Sequence, residues 1–515
     1  MKYTVSLAAL LLAASLTLPA HAQENAGDLV KQAVAAEGGA QALRGLKGIA
    51  VRGGGTFWEP GQSMAAGGEP RFLGTGTFAI TWDLASGMAR TDWDRDQKYP
   101  EPPVILKFTE TLAPSYGFVT DSKGDQPMSS VRVAAQLREL ERASPLLLLK
   151  AMDQPANVSG AELQLLGAHS LPAVAFVDGG ATFLILFDPA THLPAAIRTR
   201  DDDNINGESN YDLVLGNWTT VGGARVAKSL SYRINGIEVA KLDYRTIAPN
   251  PEIAADAFAI PAAIKATAHG PATKGMPYQW IVRRLFLTRL LDSDTLIYPA
   301  GGGLKLVELA PNVQHVEGGT ANNLIIAMKD YLIIFDAPFG ELQSREVIDA
   351  AKAKYPGKPI KYLVLTHHHM DHTGGMRTYV AEGATVIVPA PDRAYFEKDV
   401  RAPHTIVPDD LQRHPRPANI IEVKDTMTLK DGTEEVRLYN IPNPHVQGMF
   451  IGHVVKANVV YVTDLVSPRG PVERSDATVA VGDALRKYGI SGAVVAGGHG
   501  TTATQVSLAA ALAAN

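Results

Sequence analysis

The chain has 515 residues, of which 46% are hydrophobic and 20% are charged, with a formal net charge of −5 and no cysteine. This length exceeds one ordinary hydrophobic core and predicts two domains, because a domain usually holds about 100 to 200 residues. The mild acidity without a basic patch excludes nucleic acid as the expected partner. The absence of cysteine excludes structural disulfides, a lipidated cysteine and any metal site with a thiolate ligand.

The first residues are typical of an exported protein. Residues 1–22 contain one lysine, an apolar run from Ser6 to Pro19 and a small-residue site, AHA, at their end, which is the pattern of a secretory signal peptide. The apolar run is shorter than the roughly 20 residues that span a bilayer, and Pro19 interrupts it. We therefore predict cleavage after Ala22, a periplasmic or secreted location and no stable membrane anchor.

Residues 23–265 are predicted to form an antiparallel β-rich domain with a curved sheet. Asp28 to Arg44 has the pattern of a helix that is interrupted at Gly38-Gly39. Alternating stretches such as GTFAITWDL, ATFLILFD and VAKLDYRTI then follow, separated by Gly, Asp, Asn and Pro, which is the pattern of strands joined by turns. One helix is expected over about Val131 to Met152, where it would cover an apolar face of the sheet.

Two stretches in this region, FDPATHLPAAIRT and PNPEIAADAFAIP, resemble the periplasmic lipoprotein-carrier type of curved β-sheet domain. The resemblance includes no catalytic residue and implies a scaffold, or else a domain that holds an apolar ligand or presents the substrate. Residues 266–306 are predicted to be a linker, within which YQWIVRRLFLTRLL has the pattern of an amphipathic helix.

Residues 307–515 are predicted to form a second domain in which strands alternate with helices. Apolar stretches such as NNLIIAM, YLIIFDAP, IKYLVLT, TVIVPA and NVVYVTDL predict strands, and SREVIDAAKAKY predicts a helix. The stretch MTLKDGTEEVRLYNI is expected to form a hairpin around Asp431-Gly432. The final GAVVAGGHG predicts a strand before a glycine-rich turn and a closing helix.

The segment THHHMDHTGG concentrates groups that bind metals at the end of a predicted strand. Side chains alternate along an extended segment, so His367, His369 and Asp371 are expected on one face and His368 on the other. His372 follows where the chain begins to turn. Imidazole and carboxylate groups in this arrangement suit a divalent metal of the zinc or iron type.

Three further candidates follow other apolar strands. His445 lies in NPHVQGM, Asp464 ends NVVYVTD and His499 lies in AGGHG. The carboxyl ends of strands are where an α/β scaffold opens onto its ligand. Two metals about 3.5 to 4 Å apart need more ligands than one motif offers, including a bridging carboxylate. The remaining histidines of this half are expected to be structural or exposed; they are His315, His368, His404, His414 and His453.

In this order, the motifs resemble those of the metallo-β-lactamase-fold superfamily of metal-dependent hydrolases, over about 307 to 515. The resemblance implies an αββα sandwich and a supporting acid at Asp336, which would hydrogen-bond to the site without binding metal. It also implies two divalent metal ions, expected to be zinc with iron or manganese as alternatives. The expected ligands are His367, His369 and His445 for one metal, and Asp371, His372 and His499 for the other, with Asp464 bridging them.

The expected function is that of an exported binuclear-metal hydrolase with a small, apolar substrate. A hydroxide between the metals would attack an ester, lactone, thioester or amide carbonyl, and Asp371 would be the catalytic residue that orients it and moves its proton. The β-lactamases of the superfamily lack a carboxylate at the place of Asp464, so β-lactam hydrolysis is an alternative, as is an iron-dependent redox reaction. A third alternative makes the N-terminal domain a carrier of apolar ligands. A serine hydrolase is excluded, because neither Gly-x-Ser-x-Gly nor Ser-x-x-Lys occurs.

Overall fold

A computed structural model of the chain describes residues 26–99, 102–128, 130–266, 303–319, 321–468 and 470–513. The predicted signal peptide and the amphipathic stretch predicted within the linker lie outside the described residues. None of the described helices combines the length and the apolar character that crossing a bilayer requires.

The N-terminal part is built on a 13-stranded antiparallel sheet, as the alternating sequence pattern predicts. Its strands are β1 (Gly48–Glu59), β2 (Arg71–Asp83), β3 (Met88–Gln97), β4 (Val104–Ala113), β5 (Tyr116–Asp121), β6 (Gly124–Pro127), β7 (Val158–Leu166), β8 (His169–Asp178), β9 (Ala181–Phe187), β10 (Pro194–Asp203), β11 (Gly207–Val221), β12 (Ala224–Ile234) and β13 (Ile237–Pro249). Strands β1 to β6 pair in sequence order, as do β7 to β13, and pairing of β1 with β13 joins the two halves and leaves β6 and β7 at the edges.

Five helices accompany this sheet in the described residues: α1 (Ala26–Ala36), α2 (Ala40–Gly45), α3 (Ser130–Ala143), α4 (Leu147–Asp153) and α5 (Ala262–Ala266). The predicted interruption at Gly38-Gly39 is confirmed, and both glycines have positive φ angles, 106° and 89°. The prediction of one continuous helix over Val131 to Met152 is wrong. The helix divides between α3 and α4 at Pro145, whose ring lacks the backbone N–H that a continuing helix needs.

Both of these helices cover apolar faces of the sheet, as expected of that segment. Leu147 of α4 belongs to one buried cluster with Phe176 and Phe183, and Val133 of α3 belongs to another with Phe108. A cavity of about 110 Å³ remains between α3 and strands of the first half of the sheet. Whether the domain holds an apolar ligand, as its resemblance implies, stays a prediction.

The C-terminal part contains two further sheets. The first has seven strands: β14 (Lys305–Ala310), β15 (Val313–Glu317), β16 (Asn323–Ala327), β17 (Leu332–Phe335), β18 (Ile360–Val364), β19 (Thr385–Pro389) and β20 (Asn419–Val423). The second has six: β21 (Thr426–Lys430), β22 (Glu435–Asn440), β23 (Phe450–Val454), β24 (Val459–Thr463), β25 (Val494–Gly497) and β26 (Thr502–Thr504). Strands β17 to β20 run parallel, as do β24 and β25.

The helices of this part are α6 (Glu341–Lys354), α7 (Met370–Thr373), α8 (Met376–Glu382), α9 (Arg393–Arg401), α10 (Asp410–Arg413), α11 (Asp476–Lys487) and α12 (Gln505–Ala513). The alternation of apolar strands with helices that the sequence predicts is therefore present, and so is the hairpin around Asp431-Gly432, which joins β21 to β22.

Three buried clusters hold this part together. One contains side chains from both sheets, such as Phe335 and Val364 of the first and Leu438 and Phe450 of the second. A second joins the first sheet to α6 and α8, and a third joins the second sheet to α11 and α12. Burial of these apolar faces fixes the sheets against each other, so the strand ends that carry the polar residues meet at one edge.

The N-terminal sheet and the C-terminal part are in contact. His404 Nδ1 lies 2.8 Å from a carboxylate oxygen of Asp202, next to the end of β10. The backbone N–H of Gln447 donates to the carbonyl oxygen of Met64, at 2.8 Å. The second contact brings the loop between β1 and β2 to the edge where the polar residues of the C-terminal part meet.

Candidate metal centre

The histidine-rich segment divides where the extended chain becomes helical. Beyond β18 the chain reaches His369, which has the extended dihedral angles φ −61° and ψ 139° and is the N-cap of α7. Asp371 and His372 lie within the helical turn of α7. The expectation that strand alternation places Asp371 on the face of His367 and His369 is therefore wrong. The helical turn directs Asp371 towards a different group of side chains.

The three downstream candidates follow strands of the second sheet, as predicted. Asp464 comes directly after β24, and His499 follows β25. His445 lies in the loop after β22, where Asn443 Oδ1 accepts hydrogen bonds from the backbone N–H groups of His445 and Val446, at 2.8 and 2.9 Å. This local turn fixes the backbone from which the His445 ring projects.

Beside Asp464, the backbone at Gly498 packs closely against Thr463 and His372. Thr463 has φ 43°, a strained conformation for a β-branched residue. A Cβ atom on Gly498 would meet Thr463 Oγ1 at 2.6 Å, Thr463 Cα at 2.9 Å and His372 Cε1 at 3.0 Å. Only glycine fits at position 498 with this arrangement, and the strain at Thr463 lies next to a candidate ligand.

The predicted residues come together in two groups that share one carboxylate. In each group, one ligand atom per residue lies within 4.8 Å of the others. Asp464 belongs to both groups. The groups are His367, His369, His445 and Asp464, and Asp371, His372, Asp464 and His499.

The two oxygens of Asp464 face different groups. Oδ2 lies 3.2 Å from His445 Nε2 and 3.7 Å from His367 Nε2. Oδ1 lies 2.8 Å from His372 Nε2 and 3.4 Å from His499 Nε2. A carboxylate placed in this way has one oxygen for each of two neighbouring cations.

The first group has the donor atoms that zinc prefers. His367 Nε2 and His369 Nδ1 are buried and have no hydrogen-bond partner in the described residues, and the buried His445 Nε2 faces Asp464 Oδ2 at 3.2 Å. The opposite nitrogens of two rings are engaged, because His367 Nδ1 lies 3.1 Å from Thr366 Oγ1 and His369 Nε2 lies 3.1 Å from the Ser63 carbonyl oxygen. Three buried nitrogen lone pairs beside one carboxylate oxygen fit a tetrahedral divalent metal.

Asp336 supports the second group from behind. It follows β17 with φ 61°, and its Oδ2 lies 3.0 Å from Nδ1 of His372. Its Oδ1 accepts the backbone N–H of Thr366 at 2.8 Å, and Tyr461 donates its hydroxyl to Oδ2 at 3.1 Å. Asp336 therefore orients the His372 ring and ties it to the strand that carries the histidine-rich segment.

The electrostatics differ between the two groups. Burial lowers the pKa of His367 and of His369 well below the ordinary value, and neighbouring histidines lower both further, so both rings stay neutral. Burial also lowers the pKa of His372, but the carboxylates of Asp464 and Asp336 outweigh burial and raise that pKa well above the ordinary value.

Asp464 and His499 complete this pattern. Burial raises the pKa of Asp464, but His372 and His499 lower it more, so the carboxyl group is ionised. The pKa of His499 is raised despite its burial, chiefly by Asp464. A cation at this group would displace the protons that His372 and His499 hold, which is the usual competition between metals and protons.

Sequence reasoning missed several residues at the site. Gln62, Ser63 and Arg71 belong to the N-terminal sheet domain, where single polar residues between strands gave no signal. Tyr461 did have a signal in the sequence, because its hydroxyl interrupts the apolar strand NVVYVTD. Its hydroxyl donates to the Asn322 carbonyl as well as to Asp336.

The other histidines do not join either group. His368 is buried between Asp392, 3.7 Å away, and the Ser63 carbonyl oxygen, 2.9 Å away. His315 contacts Glu317 and the Gly497 carbonyl oxygen, and His404 contacts Asp202. His453 is buried, whereas His414 is exposed.

A family model described as the metallo-beta-lactamase superfamily matches residues 316–510. No curated protein matches the chain. Among solved structures, a metallo-beta-lactamase from Hirschia baltica is 19% identical and covers 40% of this chain and 94% of its own, with a TM-score of 0.32.

Two other solved structures are similar to the same extent. A metallo-beta-lactamase from Pontibacter korlensis is 17% identical and covers 40% of this chain and 95% of its own, with a TM-score of 0.32. The metallo-beta-lactamase FIM-1 from Pseudomonas aeruginosa, in its mono-zinc form, is 16% identical, covers 40% of this chain and 92% of its own, and has a TM-score of 0.32. The match to the family model confirms the resemblance inferred from the motifs: residues 316–510 form a domain of the metallo-beta-lactamase superfamily.

Proposed function

We propose that the protein is an exported, binuclear metal-dependent hydrolase that cleaves an ester, lactone, thioester or amide of a small apolar substrate. The observation that carries the proposal is the position of Asp464, whose Oδ1 and Oδ2 face separate histidine groups. A carboxylate shared in this way suits two cations better than one. Export rests on the signal-peptide pattern of residues 1–22.

In this proposal, each group holds one divalent cation, which we expect to be zinc. The first cation would be held by His367, His369 and His445, the second by Asp371, His372 and His499, and Asp464 would contribute to both. When bound, such a pair of cations lowers the pKa of water to about 7 and polarises a carbonyl oxygen. The family to which residues 316–510 belong is generally one of metal-dependent hydrolases.

The chain's own residues position the reaction. Asp371 Oδ2 lies 3.6 Å from His499 Nε2 and 3.8 Å from His372 Nε2, at the mouth of the site, and Asp371 is only partly buried. A carboxylate there can orient a nucleophilic water and accept its proton, then return that proton to the leaving group. Asp336 keeps His372 in one tautomer throughout, because it occupies Nδ1.

We also infer the layer order of this domain from its buried clusters. One cluster contains residues of both sheets, and the other two each join one sheet to helices. This is the arrangement expected of an αββα sandwich, in which the metal centre lies at one edge of the two central sheets.

The proposal is tested with purified protein whose metal content has been measured. It predicts two equivalents of zinc per chain and turnover of at least one compound in a panel of lactones, aryl esters, thioesters, amides and a chromogenic β-lactam. Turnover of the β-lactam alone would replace the proposed substrate class by a β-lactam. A fully metal-loaded protein that hydrolyses no member of the panel contradicts the proposal, and iron as the purified metal would favour redox chemistry.

Asp371→Ala provides the second test. Because Asp371 is the proposed proton acceptor, turnover should fall by roughly 100-fold or more, the upper part of the range for a general acid–base residue. Asp483→Ala is a control, since Asp483 lies at the surface and pairs with Arg486. Substantial activity in Asp371→Ala with its full metal content and a native circular dichroism spectrum would rule out this role.

A further inference from the structure

A short segment of the N-terminal sheet domain reaches into the metal centre. Strand β1 ends at Glu59 and is followed by a 3₁₀ turn, Pro60–Gln62, in which the Glu59 side chain accepts the Gly61 N–H at 2.7 Å. Gln62 and Ser63, at the end of this turn, are 4% and 0% exposed, although neither belongs to the C-terminal domain. The turn is thus fixed and buried against the domain that carries the candidate ligands.

The Gln62 side chain uses both of its polar atoms, and one of them reaches the C-terminal domain. Its Nε2 donates to Oδ1 of Asp371 at 2.6 Å. Its Oε1 accepts the hydroxyl of Tyr99 at 2.6 Å. The amide orientation follows from chemistry, because an ionised carboxylate only accepts hydrogen bonds and therefore must face the amide NH₂. Tyr99 thereby holds the NH₂ group towards Asp371.

The hydrogen bond from Gln62 determines which oxygen of Asp371 is available to the metal centre. Gln62 takes Oδ1, whereas Oδ2 faces His372 and His499. A carboxylate held at one oxygen loses rotational freedom, so its other oxygen is presented in one place. Gln62 therefore acts on the second group of candidate ligands through Asp371.

The backbone of the same segment acts on the first group. The Ser63 carbonyl oxygen lies 3.1 Å from His369 Nε2, which places the ring proton on that nitrogen. The lone pair is then on Nδ1, which is buried and has no hydrogen-bond partner in the described residues. Ser63 thus selects the tautomer of His369 that a metal requires.

Arg71, at the start of β2, completes the link. Its guanidinium donates to the carbonyl oxygens of Gln62 and His445, the latter at 2.7 Å, and lies over the Tyr99 ring at 4.7 Å. One cation therefore joins the N-terminal turn to the loop that carries a candidate metal ligand.

We propose that the N-terminal sheet domain is an integral part of the metal centre, with Gln62 as a positioning residue that holds Asp371 for metal binding. The inference rests on the metal centre proposed above, but not on the identity of the substrate. It assigns the sheet domain a task besides scaffolding or carrying a ligand. Separation of the two domains would remove the contact of Gln62 with Asp371 and that of Ser63 with His369.

The test compares zinc affinity at both sites, by competition with a chromogenic chelator, in the full-length protein and four variants. Gln62→Met keeps the length of the side chain but removes the donor, and should weaken zinc binding at the site that includes Asp371 about 10- to 100-fold, as expected when a partner of a metal ligand is lost. Tyr99→Phe keeps the amide but removes the hydroxyl that orients it, and should weaken the same site several-fold.

The double variant Gln62→Met/Tyr99→Phe should bind zinc no more weakly than Gln62→Met, because the Tyr99 hydroxyl acts on Asp371 through the Gln62 amide. Asp202→Ala is the matched control: it removes the contact with His404, which also joins the domains but is not part of the metal centre. This control should bind zinc at both sites as tightly as the wild type does.

Visible absorption of the cobalt-substituted protein gives a readout independent of activity. It should change in Gln62→Met and stay unchanged in Asp202→Ala. Wild-type zinc affinity at both sites in Gln62→Met would overturn the inference. An equal loss of zinc affinity in Asp202→Ala would also overturn it, because Gln62 would then contribute only to packing between the domains. If Gln62→Met does not fold, Tyr99→Phe alone decides, and an unchanged affinity in that variant overturns the inference. Absence of turnover in a wild type that binds two zinc ions would instead contradict the proposed function and leave this inference standing.

Discussion

Asp336 and His372 form a fully buried pair in which a carboxylate oxygen lies 3.0 Å from the imidazole Nδ1. The pair leaves Nε2 of His372 directed at Asp464, 2.8 Å away. Since Asp336 also accepts the N–H and hydroxyl of Thr366, one acid links the ends of β17 and β18 to a candidate ligand on α7. Contacts within the fold thus orient the ring.

Asp336→Asn should therefore weaken metal binding without removing a ligand. The amide can offer only one oxygen, so it cannot accept from both Thr366 and His372 as the carboxylate does, and its NH₂ group would meet a donor. We expect about a 10- to 100-fold loss of affinity at one site, measured by chelator competition. Asp483→Asn serves as the control, and an unchanged affinity in Asp336→Asn would show that the pair does not orient the ligand.

Asp464→Asn tests whether the two groups share a carboxylate. An asparagine side chain keeps the size but has one oxygen in place of two and no charge, so it cannot serve both groups. The variant should retain at most one equivalent of zinc after dialysis, against two for the wild type, as measured by plasma emission spectroscopy. Retention of two equivalents at unchanged affinity would mean that the bridge is not needed.

The neighbouring pair His368 and His369 should respond in opposite ways to substitution. His369 has its Nδ1 directed into the first group, whereas His368 lies between Ser63 and Asp392. His369→Gln should lose zinc from one site. His368→Gln should keep both zinc ions and instead lower the free energy of unfolding by about 1 to 3 kcal/mol, because buried polar partners lose a hydrogen bond. Loss of zinc in His368→Gln would contradict this assignment.

Much of the C-terminal domain could be predicted because its local signals agree with its fold. Strands β17 and β24 are each followed directly by an aspartate and β18 leads into the histidine-rich segment, and parallel pairing brings such strand ends to one edge. The sequence predicted that several candidate ligands come together, because each lies at the end of a strand; they include His367, His445 and Asp464. The position of Asp371 could not be predicted in this way, because strand alternation stops where α7 begins. The N-cap of α7 is His369, and not one of the residues Ser, Thr, Asp or Asn that usually mark the start of a helix.

The contribution of the N-terminal domain could not be predicted from the sequence. Gln62 lies 309 positions from Asp371, and the stretch WEPGQSM reads as an ordinary turn after a strand. Packing of one domain on the other brings them together, and no local pattern encodes that packing. The division of the helix at Pro145 is a different case, because a proline is a local signal, but the apolar run that follows it favours a continuous helix.

Gly498→Ala tests the close packing behind the metal centre. The added Cβ would lie 2.9 Å from Thr463 Cα and 3.0 Å from the His372 ring, so backbone or ligand must shift. A shift of His372 should weaken zinc binding at one site by at least 10-fold, the scale expected when support of a ligand is lost. Gly470→Ala is the control, because its Cβ would meet no atom within 4 Å. Equal zinc affinity in the two variants would mean that the packing at position 498 yields easily.

Glu37 makes the stability of the N-terminal domain depend on pH. Its side chain is buried with Oε2 lacking a hydrogen-bond partner in the described residues, and burial raises its pKa well above the ordinary value of 4.5. Between the unfolded and folded pKa values the folded state holds the extra proton, so stability is complete below about pH 4.5 and falls as pH rises through that interval, by about 1.4 kcal/mol per unit. Glu37→Gln cannot ionise and should escape this loss.

The expected outcome concerns the difference in melting temperature between Glu37→Gln and the wild type. This difference should be several degrees larger, in favour of Glu37→Gln, at pH 8 than at pH 5. Both proteins should be measured with a chelator present, so that metal binding adds no pH dependence of its own. Glu162→Gln, at an exposed position of β7, should follow the wild type at both pH values. A difference between Glu37→Gln and the wild type that does not change with pH would mean that Glu37 finds a compensating partner when it ionises.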